Sequence, residues 1–95
     1  MSKKQAYEEK FKAQLDELNA KIDVLKAKAK QAEASVQADY YETIEDLQKK
    51  RSEAQNKLQS LRQAGDDAWE DMKQGVEDSW ANFAAAVKSA FSRFQ

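Results

Sequence analysis

The chain of 95 residues contains no cysteine, no histidine, no proline and only two glycines. Without cysteine there is no disulfide framework and no thiolate chemistry, and without histidine as well the usual zinc sites are gone. Without proline, and with glycine first appearing at Gly65, no strong helix breaker interrupts Met1 to Ala64. A membrane-spanning helix needs about 20 consecutive apolar residues, and no such run exists. Positive charge is not in excess either: 16 Lys and Arg face 17 Asp and Glu, giving a net charge of -1 that argues against a general nucleic-acid binder. The start, Met1-Ser2-Lys3-Lys4-Gln5, runs into charged sequence with no apolar stretch, so no secretory signal is expected and the cytoplasm is the expected location. Phosphate-binding glycine loops, nucleophile elbows and dinucleotide fingerprints are also missing. The expectation is a protein with no catalytic residues, no cofactor and no metal.

Strong helix formers fill the first two thirds of the chain. Ala, Lys, Glu, Gln and Leu dominate, and acidic residues repeatedly sit four positions before basic ones, as in Glu8/Lys12, Glu17/Lys21, Glu45/Lys49, Asp46/Lys50 and Glu53/Lys57. That orientation supports an exposed helix by about 0.2–0.5 kcal/mol per pair. Apolar residues recur in heptad spacing at Phe11, Leu15, Leu18, Ile22, Leu25, Ala29, Ala32 and Val36, the pattern of a left-handed coiled coil. The stripe then steps by four through Tyr40 to Ile44, a stutter that relaxes a supercoil without ending a helix. Ile44, Leu47, Ala54, Leu58 and Leu61 resume the alternation, with Arg51 as the one charged intruder. Asp39 and Glu42 have capping-box spacing and could start a separate helix there.

Gly65 punctuates the chain. It suits a left-handed C-cap, and Asp66 or Asp67 suits the N-cap of a following helix. That last segment carries Trp69, Met72, Val76, Trp80, Phe83, Val87, Phe91 and Phe94 at steps of three and four, a continuous aromatic-rich face. Its acids gather at the start and Lys88 and Arg93 at the end, which complements the helix macrodipole.

Each unusual cluster has a structural explanation. Asp66, Asp67, Glu70 and Asp71 open a helix, where carboxylates serve as caps, and they lack the turn-rich loop of a calcium site. Lys21, Lys26, Lys28 and Lys30 wind around the helix among acids and read as a solvated flank. The aromatic face reads as a surface docked on another helix; a peripheral lipid-surface helix is the alternative, opposed by Glu70, Asp71, Glu77 and Asp78. In a parallel in-register dimer Lys21 and Lys26, and then Lys57 and Arg62, would meet like charges across the interface, so antiparallel pairing is expected.

Several stretches resemble a family of small bacterial coiled-coil proteins commonly labelled stress-response proteins. They are Lys4-Gln5-Ala6-Tyr7-Glu8-Glu9-Lys10, the run from Ala13 to Asp23, Gly65-Asp66-Asp67-Ala68-Trp69-Glu70-Asp71-Met72-Lys73, and Gly75-Val76-Glu77-Asp78-Ser79-Trp80. The resemblance implies a non-enzymatic, stress-linked role and brings no catalytic residues with it. The eleven-residue spacing of Met72, Phe83 and Phe94 is also similar to helices of exchangeable apolipoproteins.

The expected fold is all-α: a long coiled-coil helix in residues 1–64, running over about 4–63, then an amphipathic aromatic-rich helix in residues 65–95, together one structural unit. The alternative is a three-helix bundle with a further break near Ser35 to Asp39. The expected function is helical interaction and self-association in a homo-oligomer, with a protein partner also open. Its seam would be Leu15, Leu18, Ile22, Leu25, Val36, Ile44, Leu47, Leu58 and Leu61.

Overall fold

The computed structural model describes residues 2–65 and 67–94. They form α1 (Lys3–Gln31), α2 (Ala34–Gln63) and α3 (Ala68–Arg93), with no strand among the described residues. The chain is all-α, and the three-helix bundle replaces the single long helix. The molecule measures 51 × 20 × 18 Å, whereas a helix over residues 4–63 would by itself be about 90 Å long.

The break falls at Ala32 and Glu33, just ahead of the Ser35 to Asp39 window. Both residues are extended, Ala32 at φ -76°, ψ 155° and Glu33 at φ -62°, ψ 150°. Nothing in their local preference asks for a turn. The turn is imposed by burial: a lone helix cannot cover its own stripe, and folding back lets the α1 and α2 stripes cover each other. Asp39 and Glu42 lie exposed inside α2, so their capping-box spacing starts no helix.

The helix ends are tied by different groups. At the start of α1, Gln5 N–H donates to Ser2 Oγ at 3.2 Å while Ser2 N–H donates to Gln5 Oε1 at 3.1 Å, a reciprocal capping box. At its end, Gln37 Nε2 donates to the Ala29 carbonyl at 3.1 Å. The last carbonyls of α2 are capped from across the bundle. Lys4 Nζ, on α1, donates to the Arg62 and Ala64 carbonyls at 2.7 Å each, placing a cation at the negative end of the α2 dipole.

Helix α3 begins after Asp67, whose side chain makes no cap hydrogen bond. The Gly65 carbonyl instead accepts from Ala68 N–H at 3.1 Å and Trp69 N–H at 3.3 Å. Gly65 marks the break as expected, but not by a left-handed conformation. Neither glycine has a positive φ, and the residue that closes α2 is Ala64, extended at φ -73°, ψ 149°. Asp66 lies outside the described residues.

The helices run up, down and up. Lys4 meets the end of α2, Tyr7 meets the start of α3, and Tyr40 near the start of α2 stacks on Phe94 at the end of α3. The α2–α3 contact is the most extensive and the α1–α3 contact the least. The core between them contains no buried polar or charged residue among the described ones.

The glycine geometry yields a prediction. A Cβ added at Gly65 or Gly75 meets nothing within 4 Å, and neither backbone needs glycine. Gly75→Ala, in the interior of α3, should raise stability by about 0.5–1 kcal/mol. Gly65→Ala should be neutral or mildly stabilising. Urea unfolding of both variants checks this, and a clear loss at Gly65 would contradict the geometry described.

Candidate functional site

The aromatic face of α3 is buried against α1 and α2. Trp69, Val76, Trp80, Phe83 and Val87 are all in the core, while Met72, Phe91 and Phe94 pack at its margin and remain half-exposed. Ala90 completes the same face. The docking expected from the stripe is what the fold realises.

The first turns of α1 meet α3 through an aromatic ladder. Tyr7 lies 5.0 Å from Phe11 and 5.8 Å from Trp69, centroid to centroid, and Phe11 lies 5.2 Å from Trp80. Trp80 then contacts Phe83 edge-on at 6.0 Å. Tilted and edge-to-face pairs at these separations gain about 0.5–1.5 kcal/mol beyond burial. Lys73 Nζ sits 4.5 Å over the Trp69 ring and 5.7 Å from the Tyr7 ring, within cation–π range.

Tyr7 Oη donates toward Glu77 Oε1 at 3.1 Å and the Lys73 carbonyl at 3.2 Å. Burial, the hydrogen bond to Glu77 and the charge of Glu77 push the Tyr7 hydroxyl up to about 12. Trp80 behaves differently: its ring is 2% exposed, and its indole N–H is the buried side-chain polar atom without a hydrogen-bond partner among the described residues.

The seam residues divide unevenly. Leu18, Ile22, Leu25, Ile44, Leu47, Leu58 and Leu61 are buried inside the chain's own bundle, and Leu15 is half-buried. Val36 does not join them. It is 38% exposed, lying beside the turn at Ala32 and Glu33 and one helical turn before the buried Tyr40. Arg51 is half-buried and donates to Asn19 Oδ1 on α1 at 2.9 Å, so the charged intruder serves as a polar tie between helices. The lysines of α1 do wind around it: Lys26 and Lys30 border a groove with Tyr41, whereas Lys28 sits 5.6 Å from the Phe91 ring centre.

An open groove of about 460 Å³ lies between α2 and α3, with Asp39, Glu42 and Asp46 on one wall, Leu47 and Ala90 at the floor, and Arg93 at the end. Asp46 is paired with Lys50 at 2.6 Å. Among the described residues no group of three Asp or Glu side chains comes together in a way that could hold a metal ion, and no helix is long and apolar enough to cross a membrane. Glu70 and Asp71 occupy the first turn of α3, where their charge complements its dipole.

Two groups were not singled out in the sequence. Tyr7 stands four residues before Phe11, a helical step that could have placed it on the stripe. Lys4 had no local signal, since its partners are about sixty residues away.

The chain matches no protein-family model, no curated protein and no solved structure. The chemistry of its own surfaces therefore carries the functional reading.

Two predictions come from this seam. Phe83→Ala should cost about 3–5 kcal/mol, because the ring is fully buried in the core and packs edge-on against Trp80. The Tyr7 shift fixes a pH dependence. Its folded value of about 12 lies above the ordinary 10.0, so its contribution is complete below pH 10 and is lost as pH rises toward 12. Urea midpoints measured from pH 9 to 12 should fall more steeply in the native protein than in Tyr7→Phe, the difference isolating this hydroxyl.

Proposed function

We propose that the protein is a non-enzymatic helical interaction module that works by self-association, in the cytoplasm and as part of a stress response. One observation carries the self-association: the chain's helices are complementary to one another. The stripe of α1 fits the stripe of α2 in antiparallel orientation, and both fit the aromatic face of α3. A second copy offers the same surfaces wherever a helix leaves its own bundle. Val24, Val36 and Tyr41 add exposed apolar area to the half of the molecule near the α1–α2 turn. The stress link rests on the resemblance of the Gly65 to Trp80 stretches and of the start of α1 to the small coiled-coil family.

A second reading, attachment to a lipid surface, is favoured by the buried, unpartnered indole N–H of Trp80. Tryptophan at a membrane interface keeps its ring in apolar surroundings while its N–H finds polar partners. Against it stand Glu70, Asp71, Glu77 and Asp78 on the same helix, which repel anionic lipid at ordinary salt.

Light scattering across a wide concentration range tests self-association, with a rising molar mass as the expected result. Trp emission tests the lipid reading. Because Trp69 and Trp80 are buried, it should be blue-shifted in buffer and unchanged by vesicles of zwitterionic or anionic lipid. A molar mass fixed at one chain, together with a strong vesicle-induced shift, would transfer the assignment to lipid binding.

A further inference from the structure

The turn that separates α1 from α2 is made of residues that favour its absence. Gln31, Ala32, Glu33 and Ala34 are all acceptable or good helix formers, and no glycine or proline lies before Gly65. The Glu33 side chain makes no cap hydrogen bond to the start of α2. A helix break leaves up to four N–H groups and four carbonyls without intrahelical partners. Here the side chain that compensates is Gln37, which reaches the Ala29 carbonyl. A continuous helix through this point would pair those groups directly.

The apolar stripe also crosses the turn without losing its phase. Ala29, Ala32, Val36 and Tyr40 follow at steps of three, four and four, so in a straightened helix they share one face. In the closed bundle Ala32 is only half-buried and Val36 is 38% exposed. These are the two stripe positions nearest the turn, and the closed form leaves both partly uncovered.

We propose that two copies of this chain exchange α1. The turn at Ala32 and Glu33 straightens, α1 and α2 fuse into one helix over residues 3–63, and α1 takes the equivalent place against α2 and α3 of the second copy. The interface it enters is the one already seen within a single chain. Helix α1 is the element that leaves because its contact with α3 is the least extensive, whereas α2 and α3 hold each other most extensively. The polar ties from Lys4 to the end of α2, from Tyr7 to Glu77 and from Asn19 to Arg51 re-form between copies. What the exchanged dimer adds lies at its two-fold axis, where Ala32 and Val36 of one copy meet those of the other. A short connection that can extend is a low-cost route to such dimers.

This inference rests on the self-association reading, and one proline separates the two. Ala34 is the first residue of α2, and Glu33 before it is already extended, so Ala34→Pro fits the closed bundle. The same proline would fall inside the fused helix, where it removes a hydrogen bond and clashes with the preceding turn. Ala32→Gly combined with Glu33→Gly is a second variant, which lowers the helix preference of the turn without removing a backbone donor. Each protein is refolded from urea at low and at high concentration, then examined by light scattering and small-angle scattering. The native chain at high concentration is expected to form a dimer containing a helix of about 90 Å, against 51 Å for the longest dimension of the closed bundle. Ala34→Pro should stay a closed monomer, its dimer dissociation constant raised at least ~100-fold, and the double glycine variant should be shifted the same way by about tenfold or more. If the native chain and Ala34→Pro associate equally, self-association stands and the exchange is overturned. If the native chain remains a monomer at every concentration, both are overturned. Should the proline variant fail to fold, equal association of the double glycine variant and the native chain overturns the exchange.

Discussion

Everything in this bundle depends on giving the wide aromatic face of α3 somewhere to go. The stripes of α1 and α2 are narrow and partly built of alanine, with Ala29 and Ala54 fully buried. Two such helices alone would bury little area and leave a shallow trough. Trp80 and Phe83 fill that trough, at 2% and 0% exposure, and in doing so turn a hairpin into a three-sided core. Alanine on α1 and α2 is the counterpart of tryptophan and phenylalanine on α3: small residues let the backbones approach where large ones intrude. The core that results has no buried polar residue among the described ones to fix its register, so register must come from shape and from the surface.

The surface supplies it through blocks of charge. Lys21, Lys26, Lys28 and Lys30 load the second half of α1, against Asp23 alone. Beside them, the first half of α2 carries Asp39, Glu42, Glu45 and Asp46, and no basic residue before Lys49. The order then inverts: the second half of α2 carries Lys49, Lys50, Arg51, Lys57 and Arg62 against Glu53, next to Glu70, Asp71, Glu77 and Asp78 against Lys73 in the first half of α3. In the up-down-up arrangement every α2 block lies beside its opposite. Few of these charges form close pairs between helices; Arg62 and Glu8 approach to 3.8 Å. The effect is a field over roughly a Debye length of about 8–10 Å, weak for any one pair but consistent in sign. A parallel packing of α1 on α2 would instead set the basic second half of α1 beside the basic second half of α2.

Fold class and most of the core were legible because periodicity reports burial directly. The stripe from Phe11 to Ala29 and the stripe from Trp69 to Val87 both appear in the core almost residue for residue. The end of α2 and the start of α3 were legible from Gly65, although its backbone is not left-handed. The break at Ala32 and Glu33 was not. A turn written in alanine and glutamate carries no local signal, and the heptad runs through it unbroken, so the sequence alone favours a continuous helix. The three-helix arrangement wins through tertiary burial, a term that depends on residues far along the chain. For the same reason the aromatic face could be recognised as a packing surface, while Lys4 and Tyr7, which tie α1 to residues about sixty to seventy positions away, could not.

The Lys4 ammonium has a consequence in time as well as in space. It closes the end of α2 by binding the Arg62 and Ala64 carbonyls, yet it is synthesised about sixty residues before them. At 5–20 residues per second, roughly 3–12 s pass before the carbonyls it caps have been synthesised. Helix α3, which supplies the buried tryptophans of the core, is made later still. Until then the stripe of α1 is open to whatever is nearby, and Lys4 waits for the last turn of α2 before that helix is finished.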